Sequence, residues 1–208
     1  HVYKMDYEIM LRQHAETGAD VTIGCIEVPR HEASAFGVMA TDKAGKVTDF
    51  LEKPKDPPGT PEDPTMSLAS MGIYVFKWSL LRSLLLADAE DDESGHDFGH
   101  DIIPQIVAAG GAYAHRFSDS CVMTGLETRP YWRDVGTIDA FWRANIDLTE
   151  FVPALDLYDN EWAIWTYSEQ SPPAKFIHDD VGRRGQALQS TISAACTIPG
   201  RDSSHSLL

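Results

Sequence analysis

Ser70-Met71-Gly72-Ile73-Tyr74-Val75-Phe76 alternates small, β-branched and aromatic residues and reads as a strand running from Ala69 to Phe76. Working outward, a helix follows through Leu80–Leu86, and two strands precede it: Gly37–Thr41 and Val47–Leu51, joined by the turn Asp42-Lys43-Ala44-Gly45. Further upstream, the apolar run Val21–Val28 reads as a buried strand. Tyr3–Thr17 reads as a helix, carrying Tyr7, Met10 and Leu11 at helical spacing and closed by Gly18. Downstream, Asp88–Asp92 is expected to be an exposed acidic loop or helix end. Phe98–Ala109 reads as a helix with Ile102, Ile103, Ile106 and Val107 on one face, and Ala112–Phe117 as a short strand. Thr137 is expected to start another helix, with Phe141, Trp142, Ile146 and Leu148 as its apolar positions. Helices alternating with strands define an α/β domain over residues 1–150.

After about Glu150 the texture changes. Pro153, Trp162, Trp165, Pro172 and Pro173 lie in a stretch without periodicity, read as a packed linker over residues 151–189. Ser190–Gly200 sets Ile192 and Ile198 six residues apart among small residues, the look of one hexapeptide coil of a β-helix, and residues 190–208 are assigned to its start. The polar tail Arg201–Leu208 is expected to lack the next repeat.

The 208 residues carry a formal net charge of −15, which argues against nucleic acid or an anionic membrane as partner. Cys25, Cys121 and Cys196 are odd in number and have no C-x-x-C spacing, so reduced thiols in a cytoplasmic protein are expected. The opening His1-Val2-Tyr3-Lys4-Met5-Asp6 has no initiator Met, charged segment or apolar segment of a signal peptide, and reads as a start within a longer chain.

Three segments can carry chemistry. In Phe50-Leu51-Glu52-Lys53-Pro54 a carboxylate and an ammonium are neighbours at a strand end. Their side chains are expected to point apart and grip different ends of one ligand; the plainer reading is an exposed charged strand end. In Ser70-Met71-Gly72 a hydroxyl adjoins a residue without a side chain, which permits close ligand approach or marks a β-bulge. Tyr74, four residues on, is expected on the same face as Ser70. In Tyr131-Trp132-Arg133-Asp134-Val135-Gly136-Thr137, Asp134 precedes a glycine turn and a helix-capping Thr. There it could hold Mg2+, which favours few carboxylates and several waters, or simply support the turn. His96-Asp97-Phe98-Gly99-His100 spaces two histidines as metal ligands often are. It reads better as a ligand-facing loop, with Asp97 a hydroxyl acceptor and Phe98 a stacking surface.

Taken in order, these segments resemble the sugar-1-phosphate nucleotidyltransferases, and among them the bacterial ADP-glucose pyrophosphorylase (glucose-1-phosphate adenylyltransferase) family. Glu32–Met39, Phe50–Pro54, Ser67–Phe76, His96–Gly99, Tyr131–Thr137 and Pro172–Phe176 each resemble a family segment. The resemblance implies a Rossmann-like mixed-sheet domain, a linker and the start of a left-handed β-helix. It implies that Gly37, Glu52, Lys53, Ser70, Tyr74, Asp97, Phe98 and Trp132 bind substrate, that Lys53 and Asp134 serve catalysis, and that Asp134 holds Mg2+. The implied partners are glucose 1-phosphate, ATP, ADP-glucose and pyrophosphate, in a cytoplasmic, allosteric, homotetrameric parent enzyme of glycogen or starch synthesis. The family's glycine-rich triphosphate loop has no counterpart in this sequence, so the chain is expected to be a fragment, inactive alone. Enzymes using UTP or dTTP, and a non-catalytic regulatory or sugar-phosphate-binding subunit, remain alternative readings.

Overall fold

In the computed structural model, residues 1–123, 130–165, 167, 169–178, 182–200 and 202–208 are described. In chain order the strands and α-helices among them are β1 (Val2–Tyr3), α1 (Tyr7–Thr17), β2 (Val21–Pro29), β3 (Gly37–Thr41), β4 (Val47–Glu52), β5 (Met66–Phe76), α2 (Trp78–Asp88), α3 (Ile103–Ala108), β6 (Ala112–Arg116), β7 (Trp132–Arg133), α4 (Ile138–Asp147), β8 (Lys175–Ile177), β9 (Gln186–Leu188), β10 (Thr197–Pro199) and β11 (Asp202–Ser204). They fall into two compact units: Met5–Ser120, and His1–Lys4 with Cys121–Leu208.

The unit Met5–Ser120 is built on a five-stranded mixed sheet in the order β4-β3-β5-β2-β6. β2 runs antiparallel to β5 and parallel to β6, and β3 runs antiparallel to both its neighbours. The core joins Val21, Ile23 and Cys25 of β2, Met39, Val47, Phe50 and Leu68 of the β3–β5 region, and Ile103, Ile106 and Val107 of α3. Leu80, Leu81, Leu84 and Leu85 of α2 pack against it, half-buried. Burial pushes the Cys25 thiol up to about 12, so it behaves as a small apolar side chain, its Sγ donating to the His115 carbonyl. The register of β2 against β5 jumps between Gly24, opposite Ile73, and Cys25, opposite Ser70; Met71 and Gly72 are therefore a bulge, with Gly72 at φ 69°.

Two helix details differ from expectation. α1 begins at Tyr7, not Tyr3, because the Asp6 carboxylate accepts the Glu8 N–H and caps the helix there, while Tyr3 pairs with Trp132 as strand. The Gly18 stop holds, at φ 62°. The Phe98–Ala109 segment opens as a single π-helical turn, Phe98–Ile102, before α3. Pro104 has no N–H to enter a regular ladder and tolerates only a first helical turn. Asp88 is held at the end of α2, its side chain 10% exposed and bonded to the Ser94 hydroxyl and the His96 ring, whereas Asp91 and Asp92 are exposed.

The second unit pairs β1 with β7. Lys4 Nζ donates to Asp159 Oδ2 at 2.7 Å with both side chains buried, and Asp159 Oδ1 accepts the Glu161 N–H. Thr137 caps α4 by accepting the Ala140 N–H. Phe141 and Trp142 of α4 are 58% and 60% exposed, against the expectation of a packed face; the buried residue of this helix is Ala144.

The C-terminal residues form two stacked rungs rather than one coil. β8 pairs in parallel with β10, β9 with β11, and Thr191 bridges Leu207. Asp202–Leu208 is thus part of the repeat, correcting the sequence expectation; Arg201 lies outside the described residues. Stacking is driven by main-chain pairing, so Ser203 opposite Ala187 suffices where an apolar side chain was sought, and Ile198 supplies the buried residue. At Gly185 a Cβ would overlap the Ile198 carbonyl, so the rungs approach over a bare backbone.

Candidate functional site

The site begins with strand register. β3 and β4 pair Gly37 directly with Glu52, and Phe50, two residues earlier, shares the face of Glu52. A Cβ on Gly37 would lie 2.8 Å from the Phe50 ring and 2.9 Å from Glu52 Oε2; one on Gly99 would lie 3.2 Å from the same oxygen and 3.3 Å from Asp97 Oδ1. The Glu52 carboxylate is therefore set between two bare backbones, beside a second carboxylate.

Lys53 leaves the strand with φ 45°, in the left-handed region, its N–H donating to the Phe36 carbonyl at 3.0 Å. That turn reverses the expected divergence of the Glu52 and Lys53 side chains: Lys53 Nζ lies 3.4 Å from Glu52 Oε1. The pair is exposed, at 66% for Lys53 and 37% for Glu52, so it holds the ammonium weakly.

The bulge in β5 brings Ser70 and Tyr74 together, with Ser70 Oγ 3.3 Å from the Tyr74 hydroxyl and accepting the Gly72 N–H. Burial holds the Tyr74 phenol above its ordinary pKa; the Ser70 hydrogen bond works the other way, and the Glu52 and Asp97 carboxylates add to the rise. Tyr74 is therefore a neutral hydroxyl near two carboxylates. Phe98 stacks on Tyr74 with ring centroids 6.3 Å apart, and Phe76 packs against both rings.

Asp97 caps the π-turn, its Oδ1 accepting the His100 N–H. The two histidines of this loop each take a different partner: His96 Nδ1 lies 2.8 Å from Asp88 and His100 Nδ1 2.7 Å from Asp101. The Asp101 carboxylate raises the His100 pKa by hydrogen bond and charge, with Asp97 and Glu52 adding to the rise. Among the described residues no group of three His, Cys, Asp or Glu is arranged to hold a metal ion.

Gly37, Glu52, Lys53, Ser70, Tyr74, Asp97 and Phe98 thus share one unit, linked through Glu52, Gly99 and Tyr74. Sequence reading missed Gly99 and Asp101; the signal for both was the cap pattern of Asp97 ahead of an apolar run broken by Pro104. Trp132 and Asp134 belong to the other unit. There, Asp134 Oδ1 accepts the Gly136 N–H at 3.0 Å and lies 3.7 Å from His1 Nε2, with 43% of its side chain exposed. Trp132 packs edge-on against the His1 ring. Chemically, the Met5–Ser120 cluster offers two hydroxyl-accepting carboxylates, one loosely held ammonium, a neutral phenol and an aromatic wall.

These groups stand on a mixed α/β sheet. Residues 1–150 match the Nucleotidyl transferase model and residues 172–208 the GlmU-like C-terminal hexapeptide model; the chain belongs to the nucleotidyl transferase family. Within that class its similarity is to glucose-1-phosphate adenylyltransferases. It is 70% identical over 208 residues to that of Cereibacter sphaeroides, covering all of this chain and 49% of the relative. It is 64% identical over 209 residues to that of Jannaschia sp. and 60% over 208 to that of Rhizobium meliloti, covering all of this chain and 50% of each relative. The chain spans about half the length of the curated relatives it matches.

Proposed function

We propose that this chain supplies the glucose 1-phosphate site of a glucose-1-phosphate adenylyltransferase, which joins ATP and glucose 1-phosphate into ADP-glucose and pyrophosphate for glycogen or starch synthesis. The observation that carries the reading is the Glu52 carboxylate, set between Gly37 and Gly99 with Lys53 on one side and Asp97 on the other. Glu52 and Asp97 accept glucose hydroxyls, while Tyr74, held neutral by burial, can donate. Lys53 exchanges its weak partner Glu52 for the sugar phosphate. The phosphate oxygen then attacks the α-phosphorus of ATP, and pyrophosphate leaves. Holding the nucleophile beside its target is the main contribution of such a site; the Lys53 charge also offsets repulsion between two polyanions.

Family chemistry calls for Mg2+, and Asp134 fits as one of its ligands: a solvent-accessible carboxylate oriented by the Gly136 N–H. Mg2+ takes few protein carboxylates and completes its shell with water and substrate phosphates. When bound it would neutralise charge on the transferring phosphates.

The test is a chimera in which this chain replaces the segment it matches in the Cereibacter sphaeroides enzyme, assayed for ADP-glucose formation with ATP, glucose 1-phosphate and Mg2+. ADP-glucose formation is expected from the chimera and none from the 208-residue chain alone. A folded chimera that forms no ADP-glucose, or prefers another sugar phosphate, would overturn the reading.

A further inference from the structure

We propose that Asp101 is a positioning residue for glucose recognition, fixing the Asp97–Phe98 loop by a reciprocal cap. The inference rests on the glucose 1-phosphate reading above. Asp101 does not face that cluster itself. Its side chain is 14% exposed, with Oδ2 accepting the Asp97 N–H at 2.9 Å and Oδ1 meeting His100 Nδ1 at 2.7 Å. In return, the Asp97 carbonyl accepts the Asp101 N–H at 2.8 Å and Asp97 Oδ1 accepts the His100 N–H at 2.9 Å. Asp101 is thus tied to Asp97 by one side-chain and one main-chain hydrogen bond, while the Asp97 carboxylate holds the His100 N–H of the same π-turn.

Packing holds the other side of this turn, through buried Ile102 and the Phe98 ring against Tyr74 and Phe76. Asp97 and Phe98 are exposed, and on the Asp101 side lies a cavity of about 360 Å³ lined by Leu84, Asp88, Ser94, His100, Asp101 and Gln105. On the side backed by that cavity, the turn is positioned by its hydrogen bonds. Removing the Asp101 carboxylate frees the Asp97 N–H and lets the turn relax toward the cavity. That carries Asp97 away from Glu52 and Phe98 away from Tyr74. Sub-ångström displacement of a substrate-reading group is enough to weaken binding.

The experiment measures KM for each substrate in the chimera. Asp101→Ala is expected to raise KM for glucose 1-phosphate about tenfold or more, and to leave KM for ATP within about twofold. Asp101→Asn keeps an acceptor for the Asp97 N–H and an amide for the neutral His100 ring, so it is expected to recover most of the loss at pH 8. If Asp101→Ala does not fold, Asp101→Ser, whose hydroxyl is too short to span to Asp97, is read in its place with the same expectations. Equal rises for both substrates, an unchanged KM, or no recovery with Asn would overturn the proposal. Asp97→Ala separates the two layers: if it leaves KM for glucose 1-phosphate unchanged, the site reading falls and this inference with it. If Asp97→Ala raises that KM and Asp101→Ala does not, only this inference falls.

Discussion

Replacing Gly37 with alanine tests the geometry of the site most sharply, because the added atom has a known place to go. The Cβ would lie 2.8 Å from Phe50 Cζ and 2.9 Å from Glu52 Oε2. Phe50 is 6% exposed and closed in by the core, so it cannot swing away. Ordinary contact begins near 3.4 Å, so the carboxylate oxygen must retreat by about 0.5 Å while the ring and backbone adjust. Overpacking of this kind costs about 1–3 kcal/mol. For a chain of this length that corresponds to a fall in Tm of roughly 2–12 °C. Displacing a carboxylate that reads the sugar should raise KM for glucose 1-phosphate about tenfold, given that misplacement by 1 Å can cost about a hundredfold. The assays are thermal unfolding of the chain and substrate kinetics of the chimera. A Gly37→Ala protein with unchanged Tm and unchanged KM would refute the claim that Glu52 is set by the bare Gly37 backbone.

Three further outcomes are expected. Lys53→Ala in the chimera should raise KM for glucose 1-phosphate about 10- to 150-fold, the equivalent of one charge-assisted hydrogen bond of about 1.5–3 kcal/mol, and affect ATP far less; equal effects would remove Lys53 from the phosphate. His115 is buried between Gln13 and the Ser120 hydroxyl, and burial holds its pKa below the ordinary 6.5. The unfolded chain then takes up a proton that the folded chain does not, so stability is lost as pH falls through 6.5 toward the folded value, by at most about 1.4 kcal/mol per pH unit. An NMR titration placing His115 at or above 6.5 would contradict this. Asp159→Ala leaves the Lys4 ammonium buried without that carboxylate and should destabilise its unit by about 3–5 kcal/mol, read by denaturant unfolding; a loss under about 1 kcal/mol would refute it.

Much of the fold was legible because its signals are local. The β-branched run at Val21, the Asp42–Gly45 turn and the Gly18 stop each specify backbone through their own residues, and β2, β3, β4 and α1 follow. What sequence reading missed depends on partners distant in the chain or on main-chain geometry. That Asp6, not Tyr3, starts α1 reflects the pairing of Tyr3 with Trp132, more than a hundred residues away. The side chains of Glu52 and Lys53 were expected to diverge as strand neighbours do, but a single positive φ at Lys53 brings them together. The tail after Gly200 lacked an apolar signal because its pairing with β9 is made by backbone. Within the site, Lys53, Ser70 and Asp97 were visible as functional residue types beside strand ends and turns. Gly99 and Asp101, which act through space left open and through one carboxylate, carry no chemical signature of their own.

The central claim is that the cluster around Glu52 receives glucose 1-phosphate. It is tested most directly by titrating the 15N-labelled 208-residue chain with that sugar phosphate and following the backbone amides. The account predicts shifts at Gly37, Lys53, Gly72, Gly99 and His100, and their loss in Lys53→Ala. Shifts centred instead on the cavity lined by Asp42, Lys43, Glu62 and Arg116, or no shift up to about 10 mM ligand, weaker than the millimolar end of ordinary affinities, would contradict it.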